Sequence, residues 1–332
     1  MCDTSKFGPF PSRESDIRAA IGTILANKYK GGPSTSDPES LVMKRVLDFW
    51  GNWLNEATTS TSMDPSTFHD YNNIAMNVIA GATARQDKHV PALIPALHHA
   101  AASSHPNGEL LAKSLGLVVK QNDLLTPSNH AVVKRFYKQW AYSHLAKPLL
   151  QSAQPTTDGD NHTATRHRIA VLSVVTNCPF TVYQDDLPLL LRLLVTALTT
   201  RAGISSPEVA WSQTISALEI LAEILAHEPE AVRGYLREVI GGATGVYEEC
   251  ASRTKGAVEQ QQQQQQQQGM RAACRRLALQ VLGAIPSRFE ERFVLAYAPR
   301  TQRMLAVACG DGVRRVREVA RKARASWAKV VV

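Results

Sequence analysis

The sequence predicts an all-α fold of about six antiparallel helix pairs stacked side by side. Nearly every segment outside the loops carries apolar residues at helical spacing, and no segment shows the polar-apolar alternation of a half-buried strand. Helix-start signals recur: Asp37-Pro38 and Asp64-Pro65 each place a capping side chain before a proline of the first turn. A third observation is a repeat in the C-terminal half, where similar helical segments follow turns that contain proline.

In the N-terminal half, each predicted helix gathers its apolar residues on one side, as a helix packed on a neighbour does. The predicted helices, with their apolar residues, are Ser15–Lys28 (Ile17, Ile21, Ile24, Leu25), Asp37–Glu56 (Leu41, Val46, Leu47, Trp50, Leu54), the helix that begins at Asp64 (Tyr71, Ile74, Val78, Ile79), Lys88–Ser103 (Val90, Leu93, Ile94, Leu97), Glu109–Lys120, and Asn129–Gln151 (Val132, Val133, Phe136, Trp140, Leu145, Leu149).

The C-terminal half predicts three hairpins, which turn at Pro179, Pro229 and Pro286. These prolines are 50 and 57 residues apart, close to the ~40–47 residues of HEAT and armadillo repeats plus loop insertions. Residues 1–332 are therefore predicted to form a single α-solenoid of the HEAT or armadillo type. The predicted pairs are Thr163–Asn177 with Asp185–Thr199, Ser206–His227 with Glu230–Ser252, and Met270–Ala284 with Phe289–Cys309.

Low-complexity segments predict loops near residues 31–36, 154–160 and 256–269, because they are polar and lack apolar residues. The third contains an unbroken run of nine glutamines, Gln260–Gln268. Since the entropy of closing a loop grows slowly with its length, this run is interpreted as a tolerated expansion of a surface loop.

The last twenty-two residues, Asp311–Val332, have the pattern of the second helix of a HEAT-type repeat, with Asp311 as its cap. Four arginines at helical spacing lie beside an apolar stripe, and such a row suits an acidic partner because guanidinium groups bind carboxylates through two contacts. The same row is also compatible with a solvated end of the stack. The stripe is Val313, Val316, Ala320, Ala323 and Trp327, and the predicted protein-binding residues are Arg314, Arg317, Arg321 and Arg324.

Positive charge is concentrated at the C-terminus. Residues 270–332 hold fourteen Arg and Lys against four Asp and Glu, a net of +10, so residues 1–269 carry −2 of the total of +8. This distribution is compatible with nucleic acid, an acidic protein surface, or solubility of the end of the stack.

The longest apolar run, Leu187–Leu198, is too short for the roughly twenty residues that cross a bilayer, so no membrane span is predicted. The first thirty residues lack the uninterrupted apolar core of a secretory signal. The cytoplasm and the nucleus are the predicted locations. The five cysteines form no C-x-x-C pair and are predicted to be reduced thiols, of which Cys178, Cys274 and Cys309 sit among apolar helical residues as core thiols do; the other two are Cys2 and Cys250.

No catalytic, cofactor or metal site is predicted. The adjacent His98 and His99 point about 100° apart on a helix and cannot both face one ion, and no carboxylate or cysteine lies at ligand spacing beside them. The sequence contains none of the short motifs of nucleotide binding, serine hydrolases or zinc proteases. The carboxylate pairs Asp185-Asp186 and Glu290-Glu291 stand at helix starts, where the helix dipole favours negative charge.

Three segments carry a resemblance to a known family: Asn129–Trp140, the Cys178-Pro179 turn leading to Leu187–Leu191, and the ending Arg314–Trp327. Their order and spacing resemble the C-terminal HEAT domain of the large adaptor of the cytosolic iron-sulfur targeting complex. That family is also described as a DNA-repair and transcription protein, after its methyl methanesulfonate-sensitive mutants. The resemblance covers residues 65–332, and the long N-terminal solenoid of the family has no counterpart in it.

The resemblance implies a non-catalytic adaptor that helps deliver iron-sulfur clusters to apo-proteins of DNA replication, repair and transcription. The implied partners are a small cysteine-bearing assembly subunit, a WD-repeat propeller and apo iron-sulfur client proteins. Two alternatives remain: a HEAT protein that binds nucleic acid through its basic C-terminal repeats, and a generic solenoid scaffold. Direct nucleic-acid binding is the less favoured, because the few aromatic residues of the basic segment have the pattern of packing anchors rather than of base-stacking platforms.

Overall fold

The computed structural model describes residues 38–59, 65–85, 87–105, 107–121, 125–154, 161–200, 203–252 and 261–330. These residues are mostly helical and contain no strand, which confirms the predicted all-α fold. Two compact units are present, Met1–Leu149 with Ser173–Val182 and Leu150–Leu172 with Tyr183–Val332. One solenoid over residues 1–332 stays a prediction, and the predicted helix 15–28 and loop 31–36 lie outside the described residues.

The helices of the first unit begin close to the predicted start signals and pack against one another. Pro38 and Pro65 each occupy the first turn of a helix, and Asn129 caps another by accepting hydrogen bonds from two backbone N–H groups of the next turn. α1 packs against α3, while α2 and α3 both pack against α4. The helices are α1 (Pro38–Thr59), α2 (Pro65–Ala84), α3 (Val90–Ala102), α4 (Asn107–Val118) and α5 (His130–Val132, continued as a π-helix over Val133–Ala146).

The second unit repeats one packing scheme. α7 packs against α8 and α9, α10 packs against α8, α9 and α12, and α11 packs against α12. α8, α10 and α12 therefore form one layer, and α7 and α9 lie in the other. The other main helices of the described residues are α6 (Asn161–Val175), α7 (Leu187–Thr199), α8 (Pro207–His227), α9 (Leu236–Ala251), α10 (Gln261–Ala284), α11 (Ala298–Ala308) and α12 (Arg314–Trp327).

The predicted pairing of the C-terminal helices is wrong, because it is shifted by one helix along the chain. α7 pairs with α8, α9 with α10 and α11 with α12, whereas the helices joined across Pro229 and Pro286 make far less contact. The amide Nε2 of Gln302, early in α11, donates to the carbonyl oxygen of Trp327, the last residue of α12, at 2.9 Å, as expected for antiparallel neighbours. This pairing makes α12 the second helix of the last pair, as its sequence predicted.

A short repeated segment explains the error. Before α7, α9 and α11 the chain forms a one-turn α-helix and then a 3-10 turn, over residues 180–186, 229–235 and 291–297. Pro179, Pro229 and Pro286 stand before or at the start of these segments, so they mark the connection from one pair to the next instead of the hairpin within a pair. Each one-turn helix ends on a buried residue, and each main helix begins on another: Tyr183, Val232 and Val294, then Leu187, Leu236 and Ala298.

The glutamine run is helical, which corrects the predicted loop over 256–269. Gln261–Gln268 form the N-terminal extension of α10, and the side chains of Gln267 and Gln268 are exposed. Glutamine has a helix propensity close to the best, and a helix already nucleated by packing adds further residues at low cost. The packed part begins near Cys274, which is fully buried. Residues 253–260 and 155–160 lie outside the described residues.

One described helix, α8, has the length and mean hydropathy to cross a membrane, although no membrane span was predicted from the sequence. Within its most apolar window of 18 residues, 61% of the residues are buried inside the structure. α8 packs against α7 and α10, and residues such as Leu218, Leu221 and Ile224 are almost completely enclosed. Its apolar character therefore matches the position of a core helix.

Arg168 on α6 is a buried guanidinium without a carboxylate partner in the described part of the chain. Its exposed fraction is 1%, its Nη2 donates to Thr165 Oγ1 at 3.3 Å, and burial lowers its pKa to about 10. Because an unpaired buried charge costs several kcal/mol, we expect Arg168→Met to raise the free energy of unfolding by about 1–3 kcal/mol in urea titrations. Arg168→Lys should bring no such gain, and neither should Arg192→Met at an exposed site. A destabilised Arg168→Met variant would contradict this prediction.

Candidate partner-docking surface

α12 is held by an apolar stripe that faces the rest of the second unit. Val316, Ala320, Ala323 and Trp327 are buried at helical spacing, as the sequence predicted. A Cβ added at Gly283 of α10 would lie 3.0 Å from the Cβ of Ala323, so the two helices touch closely at this point. Trp327 is fully buried, and its Nε1 donates to the carbonyl oxygen of Leu282 at 2.8 Å.

The turn before α12 is fixed by a buried ion pair. Arg275 of α10 reaches Asp311 through Nε–Oδ2 at 2.8 Å and Nη2–Oδ1 at 3.3 Å, and the exposed side-chain fractions are 13% and 5%. Its third nitrogen, Nη1, donates to the carbonyl oxygen of Cys250 in α9 at 2.9 Å. Asp311 also accepts from the backbone N–H of Val313 at 2.8 Å.

The predicted roles of Asp311 and Val313 are therefore corrected. α12 begins at Arg314, and its N-cap is Val313, whose side chain makes no capping hydrogen bond. Asp311 stabilises the preceding turn, with its carboxylate committed to Arg275. Val313 remains 37% exposed and does not continue the buried stripe, because it sits in extended backbone outside the helix.

Tyr247 of α9 shares the Asp311 carboxylate. Its hydroxyl donates to Asp311 Oδ2 at 3.4 Å, and burial, then the negative charge of Asp311, raises the pKa of Tyr247 to about 12. Because the folded state favours the neutral phenol, this stabilisation is complete below about pH 10, the ordinary value, and is lost as the pH rises towards 12. Tyr137, whose hydroxyl donates to the carbonyl oxygen of Leu125, also has its pKa raised by burial.

We expect an absorbance titration of the native protein at alkaline pH to show a late tyrosine step that Tyr247→Phe removes in part. Tyr247→Phe should also reduce the fall in unfolding free energy between pH 10 and 12, because the group that ionises is gone. Tyr297→Phe, at a half-buried position of the same unit, is the matched control and should leave the late step and the fall in unfolding free energy unchanged. Titration curves that are identical for wild type and Tyr247→Phe would contradict the assigned pKa shift.

The four arginines predicted to bind a partner lie on one side of α12, but they are not equivalent. Arg314 pairs with Glu318 one turn along, with Nε–Oε1 at 3.0 Å. Arg317 is half-buried, and its Nη1 donates to the carbonyl oxygens of Asp311 and Gly312 at 2.7 and 3.1 Å, so it closes the turn before the helix. The side chains of Arg321 and Arg324 are exposed and have no ion pair or hydrogen bond within the described residues.

Two more exposed cations, Arg315 and Lys322, lie on the other flank of α12, about 140° round the helix at 100° per residue. They too have no ion-pair partner in the described part of the chain. Altogether α12 carries six cationic side chains against one carboxylate, Glu318. Its exposed sides therefore attract acidic surfaces, while its buried side is apolar.

The other candidate groups do not assemble into a chemical site. No three His, Cys, Asp or Glu side chains gather as metal ligands within the described residues. His98 is half-buried, and desolvation lowers its pKa. Asp185 and Asp186 lie in the 3-10 turn before α7, and Glu290 pairs with Arg292 at 2.9 Å on the surface.

The described cysteines are free thiols. Cys178 and Cys274 are buried, as predicted, and so is Cys250, whereas Cys309 at the end of α11, also predicted to be a core thiol, is only half-buried. Cys2 lies outside the described residues. The Sγ of Cys274 lies 3.9 Å from the carbonyl oxygen of Trp211, which places this thiol in the contact between α8 and α10.

A comparison with models of protein families finds a match for this chain. The family model MMS19_C, described as "RNAPII transcription regulator C-terminal", matches residues 23–286. No curated protein matches the chain. The matched segment covers most of the chain and ends before α11 and α12, so the candidate docking helix lies outside it.

Proposed function

Because the chain belongs to the MMS19 family, of which it carries the C-terminal region, we propose that it is a non-catalytic adaptor of cytosolic iron-sulfur protein assembly. The family description points to a transcription regulator of the MMS19 type. The finer role, delivery of clusters to apo-proteins of DNA repair, replication and transcription, rests on the resemblance of Asn129–Trp140, the Cys178-Pro179 turn and Arg314–Trp327 to the adaptor family. The family match over residues 23–286 is the observation that carries the proposal.

In this function the packed helices provide a binding surface for other proteins. Helical repeats expose long surfaces built from many helices, and such surfaces suit partner binding better than they suit catalysis. The proposed partners are the small cysteine-bearing assembly subunit, the WD-repeat propeller and the apo iron-sulfur clients, in the cytoplasm and the nucleus. The arginine side of α12 supplies a cationic contact for an acidic surface on one of them.

Affinity purification of the tagged full chain from its native cells, followed by mass spectrometry, tests the proposal. We expect the small assembly subunit and the propeller to be recovered together with the chain. The same tag on an unrelated helical-repeat protein is the control for non-specific capture. Recovery of neither subunit, with the chain folded by circular dichroism, would reject the iron-sulfur role and leave a generic scaffold.

The charge of α12 also favours a second candidate, binding to nucleic acid. Six cations on one 14-residue helix can neutralise several phosphates, and the affinity would then fall steeply with salt concentration. A gel-shift titration of duplex DNA across salt concentrations tests this alternative directly. Binding at physiological salt with a steep salt slope would favour it over the adaptor role.

A further inference from the structure

The side chains of the arginine row divide into two pairs with different tasks. Arg314 is engaged by Glu318, and Arg317 donates both of its short hydrogen bonds to the turn at Asp311 and Gly312. An arginine that already satisfies backbone carbonyls must break those bonds before it can bind another molecule, at a cost comparable to the bonds lost. Arg314 and Arg317 therefore stabilise α12 and the turn before it.

The side chains of Arg321 and Arg324 have no such engagement within the described residues, and both are exposed. They are three residues apart, so their Cβ atoms lie roughly 5–6 Å from each other on one face of the helix. Guanidinium groups are planar and bind a carboxylate through two parallel hydrogen bonds. Carboxylates one helical turn apart match this spacing, as on one side of an acidic helix.

We propose that Arg321 and Arg324 dock an acidic helical segment of the partner, with one carboxylate on each guanidinium group. The inference rests on the proposed adaptor function and narrows the docking contact to the C-terminal half of α12. Glu318 lies three residues before Arg321 on the exposed side, and its negative charge disfavours a continuous chain of phosphates along the row. The carboxylates of a protein segment are separate groups and can bind Arg321 and Arg324 without lying next to Glu318. This difference favours a protein partner over nucleic acid.

The chain provides a matched control. Two double variants reverse the same number of charges at exposed positions of α12, but on different flanks of the helix. They are Arg321→Glu with Arg324→Glu, and Arg315→Glu with Lys322→Glu. A specific acidic segment distinguishes the two flanks, whereas diffuse attraction to a polyanion depends on the total charge and responds equally to both variants. Arg317→Glu is unsuitable as a test, because it removes the hydrogen bonds that close the turn before α12.

The experiment uses the full chain and a labelled synthetic helical peptide that presents glutamates one turn apart along one side. Fluorescence anisotropy compares this peptide with a version in which glutamine replaces every glutamate. We expect wild type to bind only the glutamate peptide, and the Arg321/Arg324 variant to bind it at least tenfold more weakly, as for arginines central to an interface. The Arg315/Lys322 variant should stay within about twofold of wild type.

Equal losses in the two variants, or no binding of the glutamate peptide by wild type, would overturn the inference. Purification from cells separates this outcome from a failure of the proposed function. Wild type that recovers the assembly subunits, with an Arg321/Arg324 variant that recovers them equally well, keeps the adaptor role and removes this docking site. Peptide binding without recovery of those subunits keeps the docking site and removes the iron-sulfur role.

Discussion

Asp311→Ala is expected to lower the free energy of unfolding by about 3–5 kcal/mol, because it leaves the buried guanidinium of Arg275 without its counter-charge. The side chains of this pair are 5% and 13% exposed, and Asp311 is joined to Arg275 by two contacts, at 2.8 and 3.3 Å. The same substitution removes the acceptor for the Val313 N–H and for the Tyr247 hydroxyl. Urea or guanidinium titrations followed by circular dichroism measure the loss.

Two controls decide whether the buried charge is the cause. Glu318→Ala breaks an exposed ion pair on the same helix, and we expect a loss of only about 0.3–0.5 kcal/mol. The double variant Arg275→Met with Asp311→Leu removes both charges and should recover most of the stability lost in Asp311→Ala, since two apolar side chains can replace a buried pair at little cost. An Asp311→Ala variant no less stable than Glu318→Ala would refute the role assigned to this pair.

The Asp311 pair also bears on how docking experiments are interpreted. It ties the turn before α12 to α9 and α10, so its loss frees the start of the helix that carries Arg321 and Arg324. A variant at Asp311 or Arg317 that binds the acidic peptide weakly would therefore report a displaced helix and not a lost contact. Only substitutions at the exposed, unengaged cations test contact with the partner at equal folded content.

The sequence predicted the helices of the described chain well, because helical periodicity and capping signals are local. The starts at Pro38, Pro65 and Pro207, and the buried stripe of α12, follow from residues within a few positions of each other. The pairing of helices was not predictable in the same way. A proline can mark the hairpin within a pair or the connection between two pairs, and only the packing of α9 on α10 separates these possibilities.

The candidate site, too, was predicted only as far as local sequence signals allow. The arginine row was visible as a spacing, but the difference between Arg317 and Arg321 depends on the backbone at Asp311 and Gly312, whose carbonyl oxygens point at one guanidinium only. The ion pair of Arg275 with Asp311 joins residues 36 positions apart, and no local signal marks it. The helical state of Gln261–Gln268 likewise depends on a packed helix that follows it.

Trp327→Ala is expected to destabilise the second unit by about 3–5 kcal/mol, the usual cost of deleting a fully buried aromatic side chain. The indole has no exposed surface, lies where α12 approaches α10 near Gly283, and donates from Nε1 to the carbonyl oxygen of Leu282 at 2.8 Å. Removal opens a cavity beneath the last turn of the helix and leaves that carbonyl without its donor. Chemical denaturation followed by circular dichroism gives the magnitude.

Trp327→Phe separates the two contributions, since it keeps most of the apolar contact and removes only the Nε1–H donor. We expect it to cost about 1 kcal/mol from the lost hydrogen bond, with a smaller addition from the unfilled volume. Ala325→Gly, at an exposed position of α12, is the control for helix propensity alone and should cost at most about 1 kcal/mol. If Trp327→Ala lost no more than this control, packing of α12 on α10 could not be what places Arg321 and Arg324 on the surface.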